Sequence, residues 1–85
     1  MLAVEWAPGA TTGRHVHHGD EYAYVTDGSL ELRVDGAPSR IIRAGESYHN
    51  VEGVAHETVN TGPTLARSIT FFVVDKGKPI VEPVR

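Results

Sequence analysis

The sequence has no cysteine among its 85 residues, which removes disulfides, thiolate zinc sites and thiol nucleophiles together. It has no basic excess either. Eight lysines and arginines face eleven acidic residues, for a formal net charge of −3, and that balance argues against a sequence-independent grip on the nucleic-acid backbone. Long hydrophobic runs are missing: Phe71-Phe72-Val73-Val74 is as long as any, far short of the roughly 20 residues that span a bilayer. No membrane or nucleic-acid partner is therefore expected. Residues Met1 to Ala10 lack a basic start, and Glu5 interrupts their apolar stretch. They do not read as a secretory leader, and the expected location is cytoplasmic. What is left is one mildly acidic globular domain over residues 1–85. A domain of that length buries only about 60% of the surface its unfolded chain exposes. Its core needs help from a metal held without thiols, or from a second chain.

What the sequence does contain is punctuation and alternation. Nine glycines and five prolines break the chain into short segments, and no window sustains a helical period. Leu30, Leu32 and Val34 alternate with Glu31 and Arg33. Between this run and Tyr22-Ala23-Tyr24-Val25, the pair Asp27-Gly28 predicts a type I′ hairpin. A second such pair, Asp35-Gly36, opens a longer loop through Pro38 to a strand over Arg40–Arg43. Further strands are predicted over Ala3–Trp6, Thr12–His17, Ser47–Asn50, Glu57–Asn60 and Leu65–Val74. Seven or eight short strands joined by turns give an all-β sandwich or barrel. Trp6, Phe71 and Phe72 are assigned to its core, because large aromatics dominate small cores. Lys76-Gly77-Lys78-Pro79 reads as a turn before an extended tail over Ile80–Arg85.

Five histidines stand out by their placement. His15 and His17 are two apart, so a strand points both to one face. Glu21 has the same parity, but a straight strand would carry it about 13 Å past His17. A reversal at His18-Gly19-Asp20 returns it beside the imidazoles. His56 heads a separate strand, where antiparallel pairing brings it to the same place. Three neutral imidazoles and one carboxylate make a metal site of mixed nitrogen and oxygen character. Taken alone, His-x-His on an exposed strand is plain polar patterning; the remaining residues decide against that.

Gly9, His15, His17, Glu21 and Gly28 stand at the spacings of one motif, and Gly45, Gly53, His56 and Asn60 at those of a second. In these residues the sequence resembles the cupins. Their first motif is Gly, five residues, His-x-His, three or four residues, Glu, six residues, Gly. Their second is Gly, five residues, Pro-x-Gly, two residues, His, three residues, Asn. The motifs fall at residues 9–28 and 45–60, and Val51 replaces the usual proline, a position that shapes a turn and binds nothing. The resemblance implies a small jelly-roll β-barrel that holds one divalent transition metal per chain. Carried over position by position, the ligands are His15, His17, Glu21 and His56. Histidine with carboxylate suits Mn, Fe, Co, Ni or Zn alike. Gly28 and Gly53 are expected to serve backbone geometry, through positive φ or close strand approach. Cupins usually carry a strand or two before the one that leads into the first motif, and Met1 lies almost inside that leading strand. Either the N-terminus is shortened or a partner chain supplies the missing edge, and because an uncovered edge invites pairing, a homodimer is expected. Tyr22 and Tyr24, opposite in parity to Glu21, face outward to line such an interface or pack under a loop.

Two further residues are candidates for catalysis. His49, whose ordinary pKa sits near neutrality, suits a general acid or base if it is not simply a histidine of the barrel rim, and Tyr48 is weighed with it. Arg67 shares parity with Leu65, Ile69 and Phe71; it either points inward as an anchor for an anion or snorkels at the strand end. His18 and Asp20 are expected to be solvated. The resemblance implies a small metal-dependent enzyme acting on a small organic molecule, dioxygenase-like in the manner of quercetinases or diketone-cleaving enzymes. The same scaffold also serves metal-dependent isomerases or lyases acting on a sugar or acid, and barrels that bind or sense a small ligand without turnover.

Overall fold

A computed structural model describes the backbone of residues 1–74 and 81–83, all strand and loop with no helix. Its strands are β1 (Leu2–Trp6), β2 (His15–His17), β3 (Gly19–Asp27), β4 (Ser29–Val34), β5 (Arg40–Arg43), β6 (Ser47–Asn50), β7 (His56–Val59), β8 (Ala66–Val74) and β9 (Val81–Pro83). They form two antiparallel sheets, ordered β1-β8-β3-β6 and β5-β4-β7-β2-β9. The jelly-roll expectation holds, with shifts of detail. The predicted strand over Thr12–His17 contracts to His15–His17, preceded by an isolated bridge between Thr11 and Val59. Part of the predicted tail is β9, which pairs with β2; the proposed turn at Lys76–Pro79 lies outside the described residues.

Alternation decides the interior. Along β3 the inward row is Glu21, Ala23, Val25, while Tyr22 and Tyr24 point out. Leu30 and Leu32 of β4 face this row from the other sheet and join Val25, Ile42, Tyr48, Ala66 and Trp6 in one apolar cluster. Trp6 is buried there as expected, and its indole N–H donates to Ser68 Oγ at 3.0 Å. Asn60, the last residue of the second motif, ties loops together: its amide donates to the carbonyls of Trp6 and Thr64 at 2.8 and 2.9 Å. The interior therefore grades along β3, from Val25 in the apolar core to Glu21 among buried polar groups.

Two expectations are corrected here. Asp27-Gly28 does not make a hairpin, because β3 and β4 belong to different sheets. The pair is a corner, where the chain crosses from one sheet to the other. Gly28 has φ +71°, and a Cβ there would sit 2.8 Å from the Leu65 carbonyl oxygen. Positive φ and close backbone approach coincide at Gly28. Phe71 is not core: it is 53% exposed, because β8 carries aromatic residues on both faces and Phe72 takes the inward side.

Candidate metal centre

β2 and β7 pair so that His15 and His56 are direct partners, and His17 follows His15 on the same inward face. The three imidazole centroids lie 4.3 to 4.7 Å apart, and one ring nitrogen from each falls within 4.8 Å of the others. All three rings are buried. Glu21 arrives from β3, in the facing sheet, so the site bridges the two layers. Its Oε1 is 3.7 Å from His17 Nδ1 and 3.7 Å from His56 Nε2.

The hydrogen bonds fix where protons sit. His15 Nδ1 lies 2.7 Å from the Gly13 carbonyl, and His56 Nδ1 3.1 Å from that of Val54. A carbonyl only accepts, so both Nδ1 atoms carry hydrogen, and an imidazole with its one hydrogen on Nδ1 presents a lone pair at Nε2. His15 Nε2 is 3.0 Å from His17 Nε2, so His17 donates through Nε2 and its Nδ1 is also a lone pair. His17 Nδ1 and His56 Nε2 are buried without a hydrogen-bond partner, and both face the Glu21 carboxylate. Electron-rich atoms converging with no hydrogen between them are the arrangement a cation satisfies. The residues fit a divalent metal.

Electrostatics keep the donors available. Burial pushes the His17 pKa down to about 4, with the neighbouring imidazoles adding to the effect and Glu21 opposing it, so the ring is neutral near pH 7. Burial pushes the Glu21 carboxyl up, but the adjacent His56 imidazole, the Asn50 amide and the His17 imidazole outweigh it. The net shift is downward, and Glu21 stays ionised. Asn50 Nδ2 donates to Glu21 Oε1 at 2.8 Å.

A cavity of about 300 Å³ opens beside this cluster. Leu2, Val4, Trp6 and Phe72 give it apolar walls, and Thr12, Thr58, Thr70 and Tyr48 add hydroxyls. The Phe72 ring meets His17 edge to face at 5.0 Å. Burial raises the Tyr48 phenol to about 12, the Glu21 charge adds to this and Thr58 opposes it. Tyr48 is therefore a hydrogen-bond donor at working pH.

His15, His17, Glu21, His56 and Tyr48 thus come together. His49 does not: it sits on the outer face of β6, half-exposed, stacked on Tyr22 at 4.4 Å with its Nε2 3.6 Å from Asp20. Adjacent strand residues point to opposite faces, so Tyr48 lines the cavity beside the histidines and His49 does not. Arg67 is likewise outside, 3.4 Å from Glu5 and 3.8 Å from Asp27. Asp20 is not merely solvated, since its Oδ1 accepts the Glu52 N–H at 2.8 Å. Asn50 and Thr58 escaped the sequence reading of the site, and Phe72, assigned to the core, instead lines the cavity against His17. Parity with Tyr48 was the available signal for Asn50.

The family model for the cupin domain matches residues 2–74. The chain belongs to the cupin family. Among curated relatives, the β-alanine degradation protein BauB of Pseudomonas aeruginosa is 42% identical over 65 residues, covering 71% of this cupin and 67% of that protein. Oxalate oxidase GF-3.8 of Triticum aestivum is 34% identical over 80 residues, 85% of this chain and 36% of its own. The HTH-type transcriptional regulator PuuR of Escherichia coli is 32% identical over 71 residues, 82% of this chain and 38% of its own. A solved oxalate oxidase in complex with the substrate analogue glycolate superposes with a TM-score of 0.75 at 32% identity, over 82% of this chain and 39% of that one. This cupin spans two thirds of BauB but less than half of the oxalate oxidases and of PuuR.

Proposed function

We propose that this cupin is a small metal-dependent enzyme of dioxygenase-like type, acting on a compact organic molecule with a largely apolar body. One observation carries the reading. Two buried imidazole nitrogens, His17 Nδ1 and His56 Nε2, have no hydrogen-bond partner and face the Glu21 carboxylate, beside a cavity walled mainly by Leu2, Val4, Trp6 and Phe72. His15, His17, His56 and Glu21 would hold one divalent ion, and Mn, Fe, Co, Ni and Zn all suit such donors. When bound, the ion supplies Lewis acidity and, for Mn or Fe, one-electron chemistry. The chain supplies the rest. Its apolar walls exclude water from an enolisable substrate, and the Tyr48 phenol, held protonated, donates to a developing oxyanion.

The similarity to oxalate oxidases supports metal chemistry on a small oxygenated substrate. The similarity to PuuR favours a second reading, a barrel that senses a small ligand without turnover. A homodimer belongs to the proposal as well. Phe71, Tyr22 and His49 form an aromatic row across β8, β3 and β6 on the outer face, and Tyr24 and Val73 are exposed beside it.

The test is elemental analysis of protein purified without a metal-affinity tag, then oxygen uptake after anaerobic Fe(II) or Mn(II) loading with diketones, flavonols and oxalate. About one metal per chain with substrate-dependent oxygen consumption is expected. Stoichiometric metal without uptake selects the isomerase, lyase or sensor alternatives, and protein that refuses metal removes the proposal.

A further inference from the structure

Asn50 ends β6 and is the direct antiparallel partner of Glu21 on β3. Directly opposed residues point to the same side of a sheet, so the backbone register alone places the amide beside the carboxylate. The side chain is 2% exposed. Its Nδ2 donates to Glu21 Oε1 at 2.8 Å, and that same oxygen faces His17 Nδ1 and His56 Nε2 at 3.7 Å each. Its Oδ1 is buried with no hydrogen-bond partner.

This asymmetry is informative. An asparagine kept for the fold uses both ends of its amide, as Asn60 does with donors to Trp6 and Thr64 and an acceptor for Gly62 N–H. Asn50 makes its side-chain hydrogen bond to Glu21 and leaves its other end unmatched, an arrangement that is costly when the acceptor is buried. A neutral donor is also the right chemistry at this position. It fixes the carboxylate rotamer and occupies one lone pair of Oε1 while leaving the other directed at the imidazoles. A lysine or arginine there would neutralise the charge that a cation needs.

We infer that Asn50 is the positioning residue of the metal centre, acting through Glu21 rather than on the metal. The inference rests on the metal-binding reading above, and the experiment separates the two. Mn(II) affinity is measured by calorimetry for the wild type, Asn50→Ala, Glu21→Ala and the double variant, with metal-free thermal unfolding of each as the folding control. Asn50→Leu, which fills the space, replaces Asn50→Ala if the smaller side chain does not fold. The substitution at Asn50 weakens Mn(II) binding about 10–100-fold when Glu21 is present, the range typical of outer partners of metal ligands. It has no further effect once Glu21 is alanine. The Mn(II) paramagnetic resonance line shape changes in the first case and not in the second. Equal losses in both backgrounds, or unchanged affinity in the Asn50 variant, overturn the inference while leaving the metal site standing. A wild type that binds no Mn(II), nor any other of the candidate divalent ions, overturns the metal reading and this inference with it.

Discussion

His17 shows how one side chain links stability to the metal. Its ring is 2% exposed, its Nε2 lies 3.0 Å from His15 Nε2, and its Nδ1 is buried without a hydrogen-bond partner. A metal that binds the folded but not the unfolded chain stabilises by about 2.7 kcal/mol at a hundred times its dissociation constant. For a domain this small each kcal/mol is worth about 4–8 °C. Chelation should therefore lower the wild-type melting temperature by on the order of 10–20 °C. In His17→Ala, metal occupancy should fall and chelation should leave melting unchanged, read by calorimetry and elemental analysis together. A chelation shift that persists in the variant would mean the metal is held elsewhere. Tyr48 gives a second reading at this scale. Burial pushes its phenol up to about 12, from an ordinary 10.0. The native state then holds a proton that the unfolded state loses first, so the contribution is present below pH 10 and declines as pH rises toward 12. Ultraviolet difference titration should show a late tyrosine phase near pH 12 that Tyr48→Phe removes.

Between strands, the decisive feature is the corner at Gly28. Ala at this position must adopt φ +71° and place a Cβ 2.8 Å from the Leu65 carbonyl oxygen. At Gly45, φ is +90° but the space is open. Gly45→Ala carries only the conformational penalty of about 1–2 kcal/mol, and Gly28→Ala should lose at least about 1 kcal/mol more because two strands must shift. Urea unfolding of the two variants checks the difference, and equal losses would mean the corner relaxes freely. The same corner marks what was legible in the sequence. His15, His17 and the alternation of Leu30, Leu32 and Val34 could be read because both signals are local, whereas His56, 41 residues beyond His15, joined the group only through the second motif of the resemblance. Which sheet a strand joins is not local: Asp27-Gly28 has the residue types of a hairpin, and only pairing partners distant in sequence turn it into a crossing. β8 fails differently. With Phe71 and Phe72 adjacent and apolar residues on both sides, parity has no reference, whereas Tyr48, His49 and Asn50 could have been sorted by parity once Tyr48 was taken as inward.

At the scale of the whole molecule, the sheet β1-β8-β3-β6 carries apolar side chains on both faces. Its inner face covers the core, but its outer face carries Phe71 and Val73 at 53% and 65% exposure, with Tyr22 and Tyr24 at 46%. Exposed apolar surface of this kind is what the proposed homodimer would cover. A chain of 85 residues gains most from covering it, because its own core is small. A two-fold dimer places the same patch against itself, which suits an aromatic row flanked by acids at Asp20 and Asp27 and a base at Arg67. Tyr22→Glu would bury one carboxylate from each protomer at the centre of that contact. Sedimentation equilibrium should then move from dimer to monomer, and the melting temperature should lose its dependence on protein concentration. Metal content should stay near the wild-type value, because Tyr22 and Glu21 point to opposite faces of β3. A dimer that survives the substitution would place the interface elsewhere, with the free edges of β5 and β6 the next surfaces to charge. Loss of metal together with the dimer would mean instead that the outer contact holds β3 in place, and with it Glu21.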